Sequence, residues 1–163
     1  MAIEIERKFL LRDESWRHNA DSGIVMRQGY LSNNSKSSIR VRISGKEADL
    51  NIKSSTPGTV RSEYEYAIPL NDAEELLANL CHESIIEKIR YHVEFSGFTW
   101  EIDLFSGANS GLVVAEIELN EINQEFSRPP WLGREVSDEI RYYNSHLAGY
   151  PYQKWSKAEQ EFS

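Results

Sequence analysis

The chain has 163 residues and a formal net charge of −8, from 26 Asp and Glu against 18 Lys and Arg, with 40% apolar residues and one cysteine. That length suits one substantial core or one small barrel, and the acidic balance argues against nonspecific nucleic-acid or anionic-membrane binding, which need basic surface. Cys81 alone forms no internal disulfide and no cysteine-based metal site; with no apolar run of membrane-spanning length and no leader-like N-terminus, the expectation is a soluble cytoplasmic protein.

Residues two apart share one face of an extended strand, so in a strand over 3–11 Glu4, Glu6 and Lys8 line one side and Ile3, Ile5, Phe9 and Leu11 the other. A short helical turn is expected over 13–18. Strands follow at 25–32, 38–45, 47–54 and 61–68, with a hairpin turn at Ser44-Gly45-Lys46 and a breaking loop around Pro57 and Gly58. Residues 71–80 read as a helix capped by Asn71 or Asp72, with Leu76, Leu77 and Leu80 as its apolar stripe. Three more strands are expected at 84–95, 98–106 and 112–119, the first pair joined at Ser96-Gly97. Arg128 to Gly133, with Pro129 and Pro130, reads as a rigid connector. Ser137, followed by Asp138 and Glu139, then starts a second helix running to about Leu147. In the tail Tyr150, Tyr152 and Trp155 read as packing residues. His18, His82, His92 and His146 have no ligand spacing.

The charged faces of these strands come in pure pairs: Glu4 and Glu6, Arg40 and Arg42, Glu63 and Glu65, Lys88 and Arg90, Glu101 and Asp103, Glu116 and Glu118, with Lys53 closing another run. A wet outer face accounts for any one strand, since charged residues are mostly exposed. Same-sign neighbours repel, however, and repetition along nearly the whole chain calls for something bound between them. A barrel lined by alternating acidic and basic strands, holding a polyanion and its metal ions, meets that need. Sequential strands favour antiparallel hairpins closed into a ring, and about eight enclose room for one small ligand.

Glu4-Ile5-Glu6-Arg7-Lys8 resembles the Glu-x-Glu-x-Lys signature of the CYTH superfamily, the triphosphate tunnel metalloenzymes. The resemblance continues in order through Arg40-x-Arg42, Lys53, Glu63-x-Glu65, Lys88-x-Arg90, Asp103 and Glu116-x-Glu118. In length, and in Arg27-Gln28-Gly29-Tyr30-Leu31 and Arg141-Tyr142-Tyr143-Asn144, the chain is most similar to the short bacterial inorganic triphosphatases of that family. The resemblance implies an α+β, mainly antiparallel fold: a closed eight-stranded tunnel with a charged lumen and a few external helices, as one domain over 1–163.

It further implies metal-dependent hydrolysis of inorganic tripolyphosphate to pyrophosphate and phosphate. Lys8, Arg40, Arg42, Lys53, Lys88, Arg90 and Arg141 would bind the triphosphate. Glu4, Glu6, Glu63, Glu65, Asp103, Glu116 and Glu118 would hold one or two Mg²⁺ or Mn²⁺ ions, and Lys8, Tyr30 and Glu6 would form the catalytic set. Arginine forks match phosphate oxygens bidentately, lysines act as point charges, and magnesium favours carboxylate oxygens. Tyr30 is open between that role and a core aromatic, Glu101 between lumen and rim, and Arg141 between the substrate and a surface ion pair. The alternatives are a class IV-type adenylate cyclase, a thiamine triphosphatase and a non-catalytic polyphosphate- or nucleotide-binding module. The expected partner is a small triphosphate, with no nucleic acid and no membrane; a homodimer through the aromatic tail is left open.

Overall fold

The computed structural model describes residues 3–161, and its strands are the period-two segments. They are β1 (Ile3–Leu11), β2 (Ile24–Asn33), β3 (Ser37–Ser44), β4 (Glu47–Ser54), β5 (Val60–Ala67), β6 (His82–Phe95), β7 (Phe98–Ser106), β8 (Val113–Glu118) and β9 (Leu132–Glu135). Eight of them form a closed antiparallel barrel in the order β5-β4-β3-β2-β6-β7-β8-β1, as the charge pairs and the resemblance led us to expect. β1 returns to β5 through only three residue pairs, Ile3 with Ser62, Glu4 with Arg61 and Ile5 with Val60. The rest of that β1 edge is taken by β9, where Phe9 pairs with Glu135 and Leu11 with Leu132.

Alternation puts apolar side chains outside, where separate layers cover them. Helix α1 (Leu70–Asn79) packs Ala73 and Leu77 on Val41, Ile43 and Ala48. A 3-10 turn at Ser15–Asn19, in place of the expected helical turn, contributes Trp16 to a second layer with Phe9, Trp100, Ile117 and Trp131. The inner faces change character along their length. Glu4, Glu6 and Lys8 are followed by Leu10 on β1. On neighbouring strands Arg90 and Lys88 give way to Ile86, Asp103 to Phe105, and Glu116 to Val114. Leu10, Ile86, Phe105 and Val114 pack with Tyr142, Leu147 and Trp155 from the C-terminal segment, closing one end of the barrel with an apolar cluster.

That C-terminal segment departs from expectation. No helix runs over 137–147; Ile140–Tyr142 is a 3-10 turn and α2 spans only Asn144–Leu147. Tertiary contacts override the local helix signal, because the Ser137 hydroxyl accepts from the Lys8 backbone N–H at 3.0 Å and Tyr143 Oη donates to the Ser137 carbonyl at 2.6 Å. Gly133, expected in a connector, lies within β9, where an added Cβ would come within 2.8 Å of the Leu10 carbonyl oxygen. Asn71 and Asp72 lie inside α1, whose N-cap is Pro69 without a side-chain cap. Gly45, Ser96 and Gly97 take positive φ in the two expected hairpin turns, a conformation glycine adopts without Cβ strain. No helix among the described residues is long and apolar enough to cross a membrane.

Candidate active site

One cavity inside the barrel gathers Glu4, Glu6, Lys8, Tyr30, Arg40, Arg42, Lys53, Glu63, Glu65, Lys88, Arg90, Glu116 and Glu118 on its walls. Antiparallel register explains the convergence. Lys8 stands opposite Glu116 and Glu6 opposite Glu118; Glu101 faces Glu116, Lys53 faces Glu63, and Tyr30 faces Arg40. Glu101 also lines the cavity, which settles its position in favour of the lumen.

Two expected residues are placed elsewhere. Asp103 faces inward like Glu101 but is fully buried beneath Lys88 and Arg90, with both its oxygens engaged: Lys88 Nζ donates to Oδ2 at 2.8 Å, and Arg90 donates to Oδ1 at 2.8 Å and to Oδ2 at 2.9 Å. Arg141 lies outside the cavity, donating to the Glu159 carbonyl at 3.1 Å, with its guanidinium 5.1 Å from the Trp155 ring centre.

The lumen also holds residues that the sequence reading did not single out. Arg61 shares a β5 face with Glu63 and Glu65 and lines the cavity, with its guanidinium 4.3 Å from the Tyr143 ring centre. That parity was the available signal. Tyr143 and Asn144 enter from the C-terminal segment, and no periodic signal marks them.

Most lumen cations are already matched to carboxylates. Lys53 Nζ lies 3.1 Å from both Glu4 and Glu63; Arg42 lies 3.4 Å from Asp49; Arg90 lies 3.1 Å from Glu101; and Lys8 lies 3.7 Å from Glu116. Arg40 and Arg61 have no ion-pair partner among the described residues, and Arg40 Nε, Arg42 Nε and Asn51 Oδ1 are buried without a hydrogen-bond partner. Buried polar atoms are nearly always satisfied in folded proteins. The two unpaired arginine donors form a surface prepared for an anion.

The carboxylates have a complementary arrangement. Oxygens of Glu6, Glu101 and Glu116 lie within 4.8 Å of one another, a hard-oxygen set suited to a divalent cation. Burial and the adjacent Glu116 charge push Glu6 well above the ordinary carboxylate range. Burial acts the same way on Glu116, but the Lys8 ammonium and a hydrogen bond from Glu6 outweigh it and hold Glu116 well below that range. The pair is thus split, with Glu6 the readier of the two to hold a proton. Burial, joined by repulsion from Arg90, lowers Lys88 to about 8 despite the attraction of Asp103.

The CYTH domain family matches residues 2–146. The inorganic triphosphatase of Acetivibrio thermocellus is 44% identical over 157 residues, covering 96% of this chain and 100% of that protein. The inorganic triphosphatase of Nitrosomonas europaea is 36% identical over 149 residues, covering 89% and 96%. A crystal structure of an inorganic triphosphatase superimposes with a TM-score of 0.64 at 34% identity, covering 91% of this chain and 95% of that one.

Proposed function

The chain belongs to the CYTH domain family, and from that membership we propose that it hydrolyses inorganic tripolyphosphate to pyrophosphate and phosphate in a divalent-cation-dependent reaction. The observation that carries the reading is a closed lumen holding unpaired arginines opposite a three-carboxylate cluster. A linear triphosphate with its cation complements both.

In this reading Glu6, Glu101 and Glu116 hold Mg²⁺ or Mn²⁺, and Glu4, Glu63, Glu65 and Glu118 line the same cavity, where a second ion would draw on them. The cation would neutralise phosphate charge and orient the triphosphate. Arg40 and Arg61 would reach phosphate oxygens without giving up a carboxylate partner, while Lys53 and Arg42 would exchange part of their carboxylate contacts for substrate. Lys8, Lys88 and Tyr30 occupy the apolar-capped end and would surround the terminal phosphoryl group. Burial raises the Tyr30 phenol above its usual range, so Tyr30 remains a neutral donor there. Asp103 keeps Lys88 and Arg90 in place from beneath. Water attacks the terminal phosphorus in line, and the fixed cations stabilise charge on the equatorial oxygens and the departing pyrophosphate.

Product analysis tests the proposal directly. Purified protein with Mg²⁺ or Mn²⁺ is given tripolyphosphate or ATP, and phosphate, pyrophosphate and cyclic AMP are separated. Pyrophosphate and phosphate, formed far faster from tripolyphosphate than phosphate is from ATP, support it; cyclic AMP from ATP, or no turnover of tripolyphosphate, refutes it.

A further inference from the structure

Asn144 opens α2 at the apolar-capped end of the lumen. Its Oδ1 accepts from Lys88 Nζ at 3.2 Å and from Gln28 Nε2 at 3.1 Å. An ammonium has three donors and no acceptor, so contact with Lys88 requires the oxygen, not the nitrogen, of the Asn144 amide. Gln28 is fully buried, and the donation from its Nε2 likewise requires the oxygen of the Asn144 amide at that point. Two of the three Lys88 protons are thereby assigned, one to Asp103 on β7 at 2.8 Å and one to Asn144. The third is left for the cavity.

We infer that Asn144 is a positioning residue: through Gln28 on one side and Lys88 on the other, it aims the Lys88 ammonium at the terminal phosphoryl group. The inference rests on the triphosphatase reading. It also gives the C-terminal segment a part in the chemistry beyond closing the barrel. The same segment holds the other lysine of this end, since the Tyr142 carbonyl accepts from Lys8 Nζ at 3.1 Å.

The test is a double-mutant cycle on the full chain with Mg²⁺ and tripolyphosphate, using Asn144→Ala, Lys88→Ala and the pair, each checked for folding by circular dichroism. Asn144→Ala is expected to lower kcat roughly 10- to 100-fold, the scale of a misplaced reacting group, and to have no further effect once Lys88 is gone. Asn144→Asp keeps the acceptor but adds negative charge beside the substrate. It is expected to raise KM while retaining kcat within about threefold. This variant also serves where the alanine chain fails to fold. Equal losses from Asn144→Ala in both backgrounds, or a kcat loss in Asn144→Asp matching that of alanine, overturns the inference with the triphosphatase reading intact. Absence of wild-type turnover overturns both.

Discussion

Asp103→Asn would remove one charge from a site where two buried cations share it. Asp103 is fully buried and accepts three charge-assisted hydrogen bonds of 2.8 to 2.9 Å from Lys88 and Arg90. Asparagine has nearly the same shape but removes the one carboxylate that both buried cations contact, leaving Arg90 with Glu101 and Lys88 with no directly bonded anion. Breaking a buried ion pair by removing one partner costs about 3–5 kcal/mol. An unfolding entropy of about 2.1 cal/mol/K per residue over this length gives a fall in Tm of about 9–15 °C at neutral pH. The pH dependence follows from the pair. Burial favours the neutral Asp103 acid, but Arg90 and then Lys88 outweigh it and lower the carboxyl to about 2. Lys88 is lowered as well, chiefly by burial and then by Arg90, which attracts Asp103 but repels the ammonium. A carboxyl with a lowered folded pKa stabilises the protein above its unfolded pKa of about 3.9, and that stability is lost as pH falls through about 2. The gap in Tm between wild type and variant should therefore be full at pH 6 and narrow steadily between about pH 4 and 2. Scanning calorimetry across that range measures it. A variant melting within about 2 °C of wild type at pH 6 would refute the assignment of Asp103 as the electrostatic anchor of β6 and β7.

Glu6→Gln removes the ionisable group of a carboxyl that burial and the Glu116 charge already push well above the ordinary range, so Tm without metal should change little. Mg²⁺-dependent turnover should fall at least about 100-fold; comparable turnover in the variant would count against Glu6 in the metal cluster. Lys88, lowered to about 8, is charged below that pH and loses its proton above it. kcat/KM for tripolyphosphate should therefore decline above about pH 8, and a flat profile to pH 9.5 would contradict its role as a phosphate contact. Arg61→Gln removes a lumen cation with no ion-pair partner among the described residues. KM should rise about tenfold or more with Tm nearly unchanged, and steady-state kinetics that match wild type would remove Arg61 from the substrate contacts.

The barrel was legible because half-buried strands leave a period-two record, and β1 to β8 fall within a residue or two of the segments expected from it. The lumen was legible for a related reason, since same-sign pairs on one face need a bound counter-charge. Local signals failed where long-range partners took over. Ser137-Asp138-Glu139 has the form of a helix start, but the Ser137 hydroxyl is engaged by the Lys8 backbone, 129 positions away. β9 was hidden by Pro129, Pro130 and Gly133, and it exists because β1 offers a free edge beyond β5. Asp103 shares parity with Glu101, so the sequence does not separate a carboxylate open to the cavity from one covered by neighbouring cations. That distinction comes from Arg90 standing directly opposite Asp103 in register. Arg61 was overlooked as a single cation beside an acidic pair, although its parity was correct.

The narrow seam between β1 and β5 bears on how the molecule is made. The strand carrying Glu4, Glu6 and Lys8 precedes the other eight described strands in the chain, yet its other neighbour, β8, lies over 100 residues away in sequence, with Glu6 opposite Glu118. Hairpins β2–β3, β3–β4 and β6–β7 need only short loops and can form early, whereas pairings across such distances bear the full entropy of loop closure. β1 must therefore wait for most of the chain before it is flanked on both sides. Catalytic competence should appear in the slowest phase of refolding, after most secondary structure has formed.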